Sequence, residues 1–391
     1  MSHSDQIILL SAKIHPSDKE LVELNDLIPQ ITDWGYYVNR LIECCVGPLF
    51  HSKLSLLSNA NLIPQEIKDK LQQSYYITLS RGMKMYSVFQ TAMNALKSAG
   101  VDVMVLKGAY LADALYKDIA LRQFSDIDLL IKEEDGEKSV EALKNIGFEA
   151  DENDAIIQKY TDGQYSFIHY PHMVFQGISV ELHVRLHDEN ERYQLLPDKI
   201  RQHAETYTLQ GVEVNVQDLN DLLIFICVHL HKHFVFGHLQ FTSFNDIVNI
   251  LEVNNTKLEW DTLTGRCKEY DCEGIVFRYL LLAHKYYHAP VPDNIVQQNK
   301  IYLRKKDEEL FLKYLVGEEV ISNSVVSQFR NIKHIDGFFN KTKSFLYIVF
   351  PPKKYMVKSC DIKHPQVYWL YYPIRHWKGL KEIWKKLMSA E

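Results

Sequence analysis

Two aspartates one residue apart, Asp126 and Asp128, stand among large aliphatics in the stretch FSDIDLLI. On a strand, alternate side chains share a face, so both carboxylates point one way while Ile127 and Leu129 point the other. Paired carboxylates repel unless water or cations neutralise them, and oxygen-only ligands favour Mg²⁺ or Mn²⁺. A solvated strand face is the plainer account of such a pair. The same parity in VELHV puts Glu181 and His183 on one face. If that strand neighbours the first, Glu181 becomes a third carboxylate, the minimum for a two-metal phosphoryl-transfer centre. His183 then either orients Glu181 or a metal-bound water, or is an ordinary strand histidine.

Lys107 and Gly108 lie where the apolar run VDVMVL gives way to a helical pattern. A glycine there lets backbone approach a phosphate, and first-turn N–H groups are anion donors. The alternative is a packing glycine beside a snorkelling lysine. Arg122, four residues before Asp126, either pairs with a triphosphate or neutralises the local acids. HLHKHFVFGH carries His229, His231, His233 and His238, and on a helix His229 and His233 share a face beside Lys232. Three readings stay open: zinc held with Asp246, as in a metal hydrolase; a buried polar cluster tying helices to a core; or a cleft-facing set in which Lys232 and His233 meet a triphosphate. The HExxH pattern is absent, and no cysteines have matching spacing.

The elements that must position these residues divide the chain into three. Residues 1–98 carry apolar positions at helical spacing, with Ser98 and Gly100 closing the second long run. Residues 99–217 begin as strand, helix, strand, helix, strand and continue as hairpins around Gly177 and Gly211. Residues 218–391 return to helix, with FPPKK at 350–354 interrupting an aromatic and basic tail. The expected fold is α+β: a small mixed-sheet core flanked by N-terminal and C-terminal helical regions. The tail reads as a helix packed by its aromatic face, with a nucleic-acid or membrane-surface stripe as the alternative.

At 391 residues, 46% hydrophobic and 24% charged, the chain is an ordinary globular one. Its net charge of −6 argues against general nucleic-acid binding, so no extended nucleic acid is expected as partner. No run reaches the roughly 18 apolar residues of a membrane span, and the N-terminus lacks signal-peptide character. Six scattered cysteines without CxxC pairs fit reduced thiols and a cytoplasmic location.

The order of features resembles the nucleotidyltransferase core of the polymerase-β-like superfamily. LKGAYLADALY, RQFSDIDLLI, VELHVRL, CVHLHKHF and FNDIVNIL together more closely resemble the bacterial family described as uncharacterised nucleotidyltransferases. The resemblance implies Mg²⁺- or Mn²⁺-dependent transfer of a nucleoside monophosphate from an NTP, expected to be ATP, with pyrophosphate leaving. Asp126 and Asp128 would hold the metals, with Glu181 as the third acid or the base. Lys107, Gly108, Arg122, Ser125, Lys232 and His233 would face the nucleotide. The superfamily usually has Gly-Gly or Gly-Ser at the turn, where this chain has Lys107-Gly108-Ala109. The acceptor would be a small molecule, a sugar or a protein hydroxyl. A non-catalytic nucleotide-sensing module on the same fold is the alternative.

Overall fold

The computed structural model describes residues 3–150, 168–187, 191, 193–235, 239–317, 342, 345–346, 349–350, 353, 356 and 365–377. Met1–Ile321 form one compact unit and Ser322–Glu391 a second. The changes of element type expected near 98 and 217 both fall inside the first unit, as transitions from helix to sheet and back. In the second unit a 3-10 turn, Pro365–Leu370, precedes Tyr372, whose ring meets Phe350 edge-on at 5.5 Å. Most of FPPKK and the whole of Cys360 lie outside the described residues.

The strands are β1 (Met104–Val105), β2 (Asp126–Leu130), β3 (Glu149–Ala150), β4 (Met173–Phe175), β5 (Ile178–His183), β6 (Glu205–Leu209) and β7 (Val212–Val216). They make one mixed sheet in the order β3-β4-β5-β2-β1-β7-β6. β2 and β5 run parallel, with Asp126 opposite Ser179 and Asp128 opposite Glu181. β1 is antiparallel to β2 and parallel to β7. The β4–β5 and β6–β7 hairpins turn on Gln176-Gly177 and Gln210-Gly211, both residues of each pair at positive φ (51° and 75°; 50° and 80°). Such primed turns match the strand twist, and the glycine takes the second left-handed position without steric cost. An α+β core with flanking helices is therefore the architecture of this chain.

One face of the sheet is apolar. Ile127, Leu129, Val180 and Leu182 are fully buried there against Met85, Phe89, Ala92 and Leu96 of the 34-residue helix Gln65–Ser98. Burial stabilises by about 1.5–3 kcal/mol per side chain, which fixes the register of both strands. The helix ends as its sequence suggests. Gly100 adopts φ +69°, Val101 N–H donates to the Leu96 carbonyl at 3.0 Å, and Gly100 N–H to that of Lys97 at 3.0 Å, a Schellman closure.

A second core joins the N-terminal helices to Leu219–Val235, Phe241–Val253, Glu273–Tyr287 and Lys305–Leu315. Phe244 and Phe311 pack at 5.1 Å within it. Asn249 ties these elements together: its amide donates to the Ala12 carbonyl at 2.8 Å and its oxygen accepts from Ile14 N–H at 2.7 Å. Lys53, at the end of the helix Gly47–Lys53, is buried with Nζ donating to the carbonyls of Ser11 (3.1 Å) and Leu49 (2.8 Å). Among the described residues no helix is long and apolar enough to cross a membrane.

Candidate active site

The sheet face opposite the apolar core opens into a cleft of about 620 Å³ lined by Lys107, Gly108, Arg122, Ser125, Asp126, Asp128, Glu181, His183, Lys232 and His233, among others. All nine residues singled out as nucleotide- or metal-facing therefore meet in one place. Because β2 and β5 are in parallel register, Asp128 and Glu181 are cross-strand neighbours. His183 bridges them, its Nε2 lying 2.9 Å from Asp128 Oδ1 and 3.4 Å from Glu181 Oε2. Burial lowers the imidazole's proton affinity, but the two carboxylates outweigh it and hold His183 up at about 9. Burial raises Asp126, and the charge of Asp128 adds to it, to about 6. Burial would raise Asp128 too, but Lys107 and His183 drive it below the usual carboxylate range. Glu181 is likewise pulled down against burial, chiefly by its hydrogen bond with His183.

Lys107 is the positive counterpart. The helix Lys107–Ala114 begins without a side-chain cap, so its first N–H groups face the cleft end of the element. Lys107 Nζ lies 3.2 Å from Asp128 Oδ2 and 3.1 Å from His229 Nε2. Burial, Lys107 and His233 push His229 well below its ordinary value, so its neutral ring accepts from the ammonium. The contact with Asp128 is an ion pair without aligned hydrogen-bond geometry, and Oδ2 remains a buried acceptor lacking a donor. Gly108 is explained by packing: a Cβ there would meet Phe124 Cβ at 3.3 Å and Arg122 Nη1 at 3.5 Å.

Three carboxylates on adjacent strands thus stand beside a lysine that begins a helix, all lining one cleft. A family model described as "Uncharacterised nucleotidyltransferase" matches residues 30–288. The chain belongs to this nucleotidyltransferase family. A solved structure entitled "Solution Structure of Antibiotic-Resistance Factor ANT(2'')-Ia Reveals Substrate-Regulated Conformation Dynamics" is similar over 53% of this chain and 98% of that one, at 11% identity. Its TM-score of 0.33 is too low to bear on this nucleotidyltransferase's chemistry. No curated protein matches the chain.

Two placements in the nucleotidyltransferase differ from what the sequence suggested. Arg122 is turned away from Asp126 and Asp128 and committed to Asp246, Nε to Oδ1 at 2.8 Å and Nη2 to Oδ2 at 2.6 Å, while Nη1 donates to the Gly108 carbonyl at 3.1 Å. It braces the cleft wall instead of offering a free cation to phosphate. Asp246, also bound by the Tyr116 hydroxyl at 3.0 Å, is thereby removed from any zinc set with His229 and His233. Among the described residues the groups with metal-ligand spacing are instead Asp128–Glu181–His183 and His169–His172–Glu181. His169 and His172 come from HYPH, where neither strand nor helix periodicity marks them. Their only sequence signal is two histidines flanking a Tyr-Pro pair shortly before a hairpin.

A second cavity of about 450 Å³ shares Arg122, Gln123, Phe124, Ser125 and Thr242 with the cleft and extends along the Gln65–Ser98 helix past Lys70, Ser74, Thr78 and Arg81. Its lining has no carboxylate. Cys44, Cys45, Cys227, Cys267 and Cys272 are free thiols.

Proposed function

We propose that the cleft transfers a nucleoside monophosphate from an NTP, ATP being the first to test, to an acceptor hydroxyl. The observation that carries this reading is the convergence of Asp126, Asp128 and Glu181 on one face of two parallel strands, with Asp128 directly beside Glu181. The acceptor oxygen bonds to the α-phosphorus, the bridge between α- and β-phosphates breaks, and pyrophosphate leaves with the electron pair. The hydroxyl proton passes to the carboxylate cluster. Membership of a nucleotidyltransferase family supports the general activity.

The donor set suits a divalent cation. Asp128 Oδ2, which lines the cleft, is a buried acceptor without a hydrogen-bond partner. Asp126, Asp128 and Glu181 would hold Mg²⁺ or Mn²⁺, which supplies neutralisation of the charge developing on the transferred phosphoryl group and the leaving pyrophosphate. Lys107, beside Asp128, binds phosphate oxygens, and the uncapped first turn at Gly108 adds N–H donors. Lys232 and His233 extend the donor wall along the nucleotide's phosphate chain. Ser125 steadies Asp126, to which its side chain hydrogen-bonds. Arg122, through Gly108, positions that helix start.

The acceptor enters through the adjoining cavity. Its cations, Lys70 and Arg81, and its lack of acids favour a neutral or anionic hydroxyl compound over a polycation. The free thiols favour a reducing, cytoplasmic setting. The test combines calorimetric NTP binding in Mg²⁺ with pyrophosphate release across a panel of small-molecule, sugar and protein acceptors. Nucleotide-dependent release that Asp126→Asn and Asp128→Asn abolish is the expected result. Binding without release would leave a nucleotide-sensing module, and no binding at all would sink the reading.

A further inference from the structure

Glu181 is surrounded by imidazoles to a degree that an Mg²⁺ ligand does not require. His172 Nε2 lies 3.1 Å from Oε1, and His169 Nε2 lies 4.0 Å from Oε2. The two rings stack at 5.0 Å with planes 18° apart, so they present the same edge to the carboxylate. One ligand atom from each of His169, His172 and Glu181 falls within 4.8 Å of the others. Tetrahedral coordination at roughly 2.0–2.1 Å per bond needs ligand atoms roughly 3.4 Å apart, within reach of this spacing by small side-chain rotations.

The supports of these histidines are also those of metal ligands. His169 Nδ1 donates to the Tyr170 carbonyl at 2.8 Å, which fixes the tautomer and leaves the Nε2 lone pair facing Glu181. The backbone is equally fixed. His169 forms a bridge with His183, and Tyr170 N–H donates to the Leu182 carbonyl at 2.9 Å, so the segment is an added edge beside β5. Tyr170 in turn packs so closely over Gly136 that any side chain there would overlap its ring.

We propose that His169, His172 and Glu181 form a transition-metal site, taking Zn²⁺, Co²⁺ or Mn²⁺ in preference to Mg²⁺, at the edge of the cleft. Two imidazoles and one carboxylate leave a fourth position for water or a substrate oxygen. The site is distinct from the Asp126–Asp128–Glu181 cluster and shares only Glu181 with it. Its occupancy does not depend on nucleotidyl transfer, so the two readings fail separately.

The experiment is a Co²⁺ titration of the full chain, stripped with chelator, in millimolar Mg²⁺, followed by visible absorption and calorimetry. One equivalent should bind with bands of a nitrogen-ligated low-coordinate ion. His172→Ala and His169→Gln, checked by circular dichroism for folding, should each weaken binding more than tenfold, while Asp126→Asn retains it. His172 is partly exposed, so its replacement leaves the core intact. No Co²⁺ uptake above Mg²⁺, or uptake unchanged in both histidine variants, overturns the proposal. So does uptake lost only on replacing Asp128 or His183, which would place the ion in the inner cluster.

Discussion

Asp246→Asn is the most revealing substitution outside the acidic cluster, because it acts on the cleft through a buried ion pair. Asp246 and Arg122 are 1% and 5% exposed, joined by two hydrogen bonds of 2.8 and 2.6 Å. Removing one charge leaves the other buried and unpaired, which costs about 3–5 kcal/mol. That is a large part of a typical domain's stability of about 5–15 kcal/mol. Urea unfolding followed by circular dichroism should show that loss. The double variant Arg122→Met with Asp246→Leu should recover most of it, since apolar residues of similar volume often replace a buried pair at little cost. The double variant should still lose NTP affinity, because Arg122 Nη1 no longer holds the Gly108 carbonyl. A loss below about 1 kcal/mol for Asp246→Asn, or a double variant less stable than the single one, would refute the bracing role.

Lys53 supplies a pH test. Burial pushes its ammonium from 10.5 down to about 7, so between those values the unfolded chain holds a proton that the folded chain does not. Folding therefore loses stability as pH falls from about 10.5 to about 7, by roughly 5 kcal/mol in the limit, and the penalty stays constant below that. Lys53→Met should stabilise the protein by about 2–4 kcal/mol near pH 7 after its two hydrogen bonds are lost, with the advantage shrinking towards pH 10 in paired denaturation curves; a constant difference would contradict the assignment. Lys107→Met should weaken NTP binding at least tenfold, about 1.4 kcal/mol, yet tighten Mn²⁺ binding, because the ammonium competes with the cation for Asp128. Calorimetry showing both affinities falling together would count against that competition. Gly136→Ala forces the Tyr170 ring to move and should cost about 1–3 kcal/mol in thermal unfolding, and it should also loosen Co²⁺ binding at His169.

The parts of this molecule that were legible in sequence are those governed by a local period. Alternation in DIDLL and VELH placed Asp126, Asp128 and Glu181 on one face, and the structure shows Ile127, Leu129, Val180 and Leu182 buried on the other. Gly100, Gly177 and Gly211 marked a helix end and two turns because left-handed backbone leaves a glycine signature. What escaped was pairing at long range. Arg122 meets Asp246 across 124 positions, and Lys107 meets His229 across 122. No periodicity encodes such partners. His169 and His172 were hidden for a different reason: His169 is placed by its bridge to β5 and not by its own neighbours, and His172 lies between that bridge and β4.

The register of β2 against β5 has a consequence for quality control. Ile127, Leu129, Val180 and Leu182 alternate with Asp126, Asp128, Glu181 and His183, so a slip of a single residue would turn the carboxylates into the apolar core and Ile127 and Val180 out of it. Such a misassembled sheet would lose its core and its chemistry at once. A population of stable but inactive register isomers is therefore barred by the sequence itself, and the yield of folded protein should report directly on the yield of competent sites.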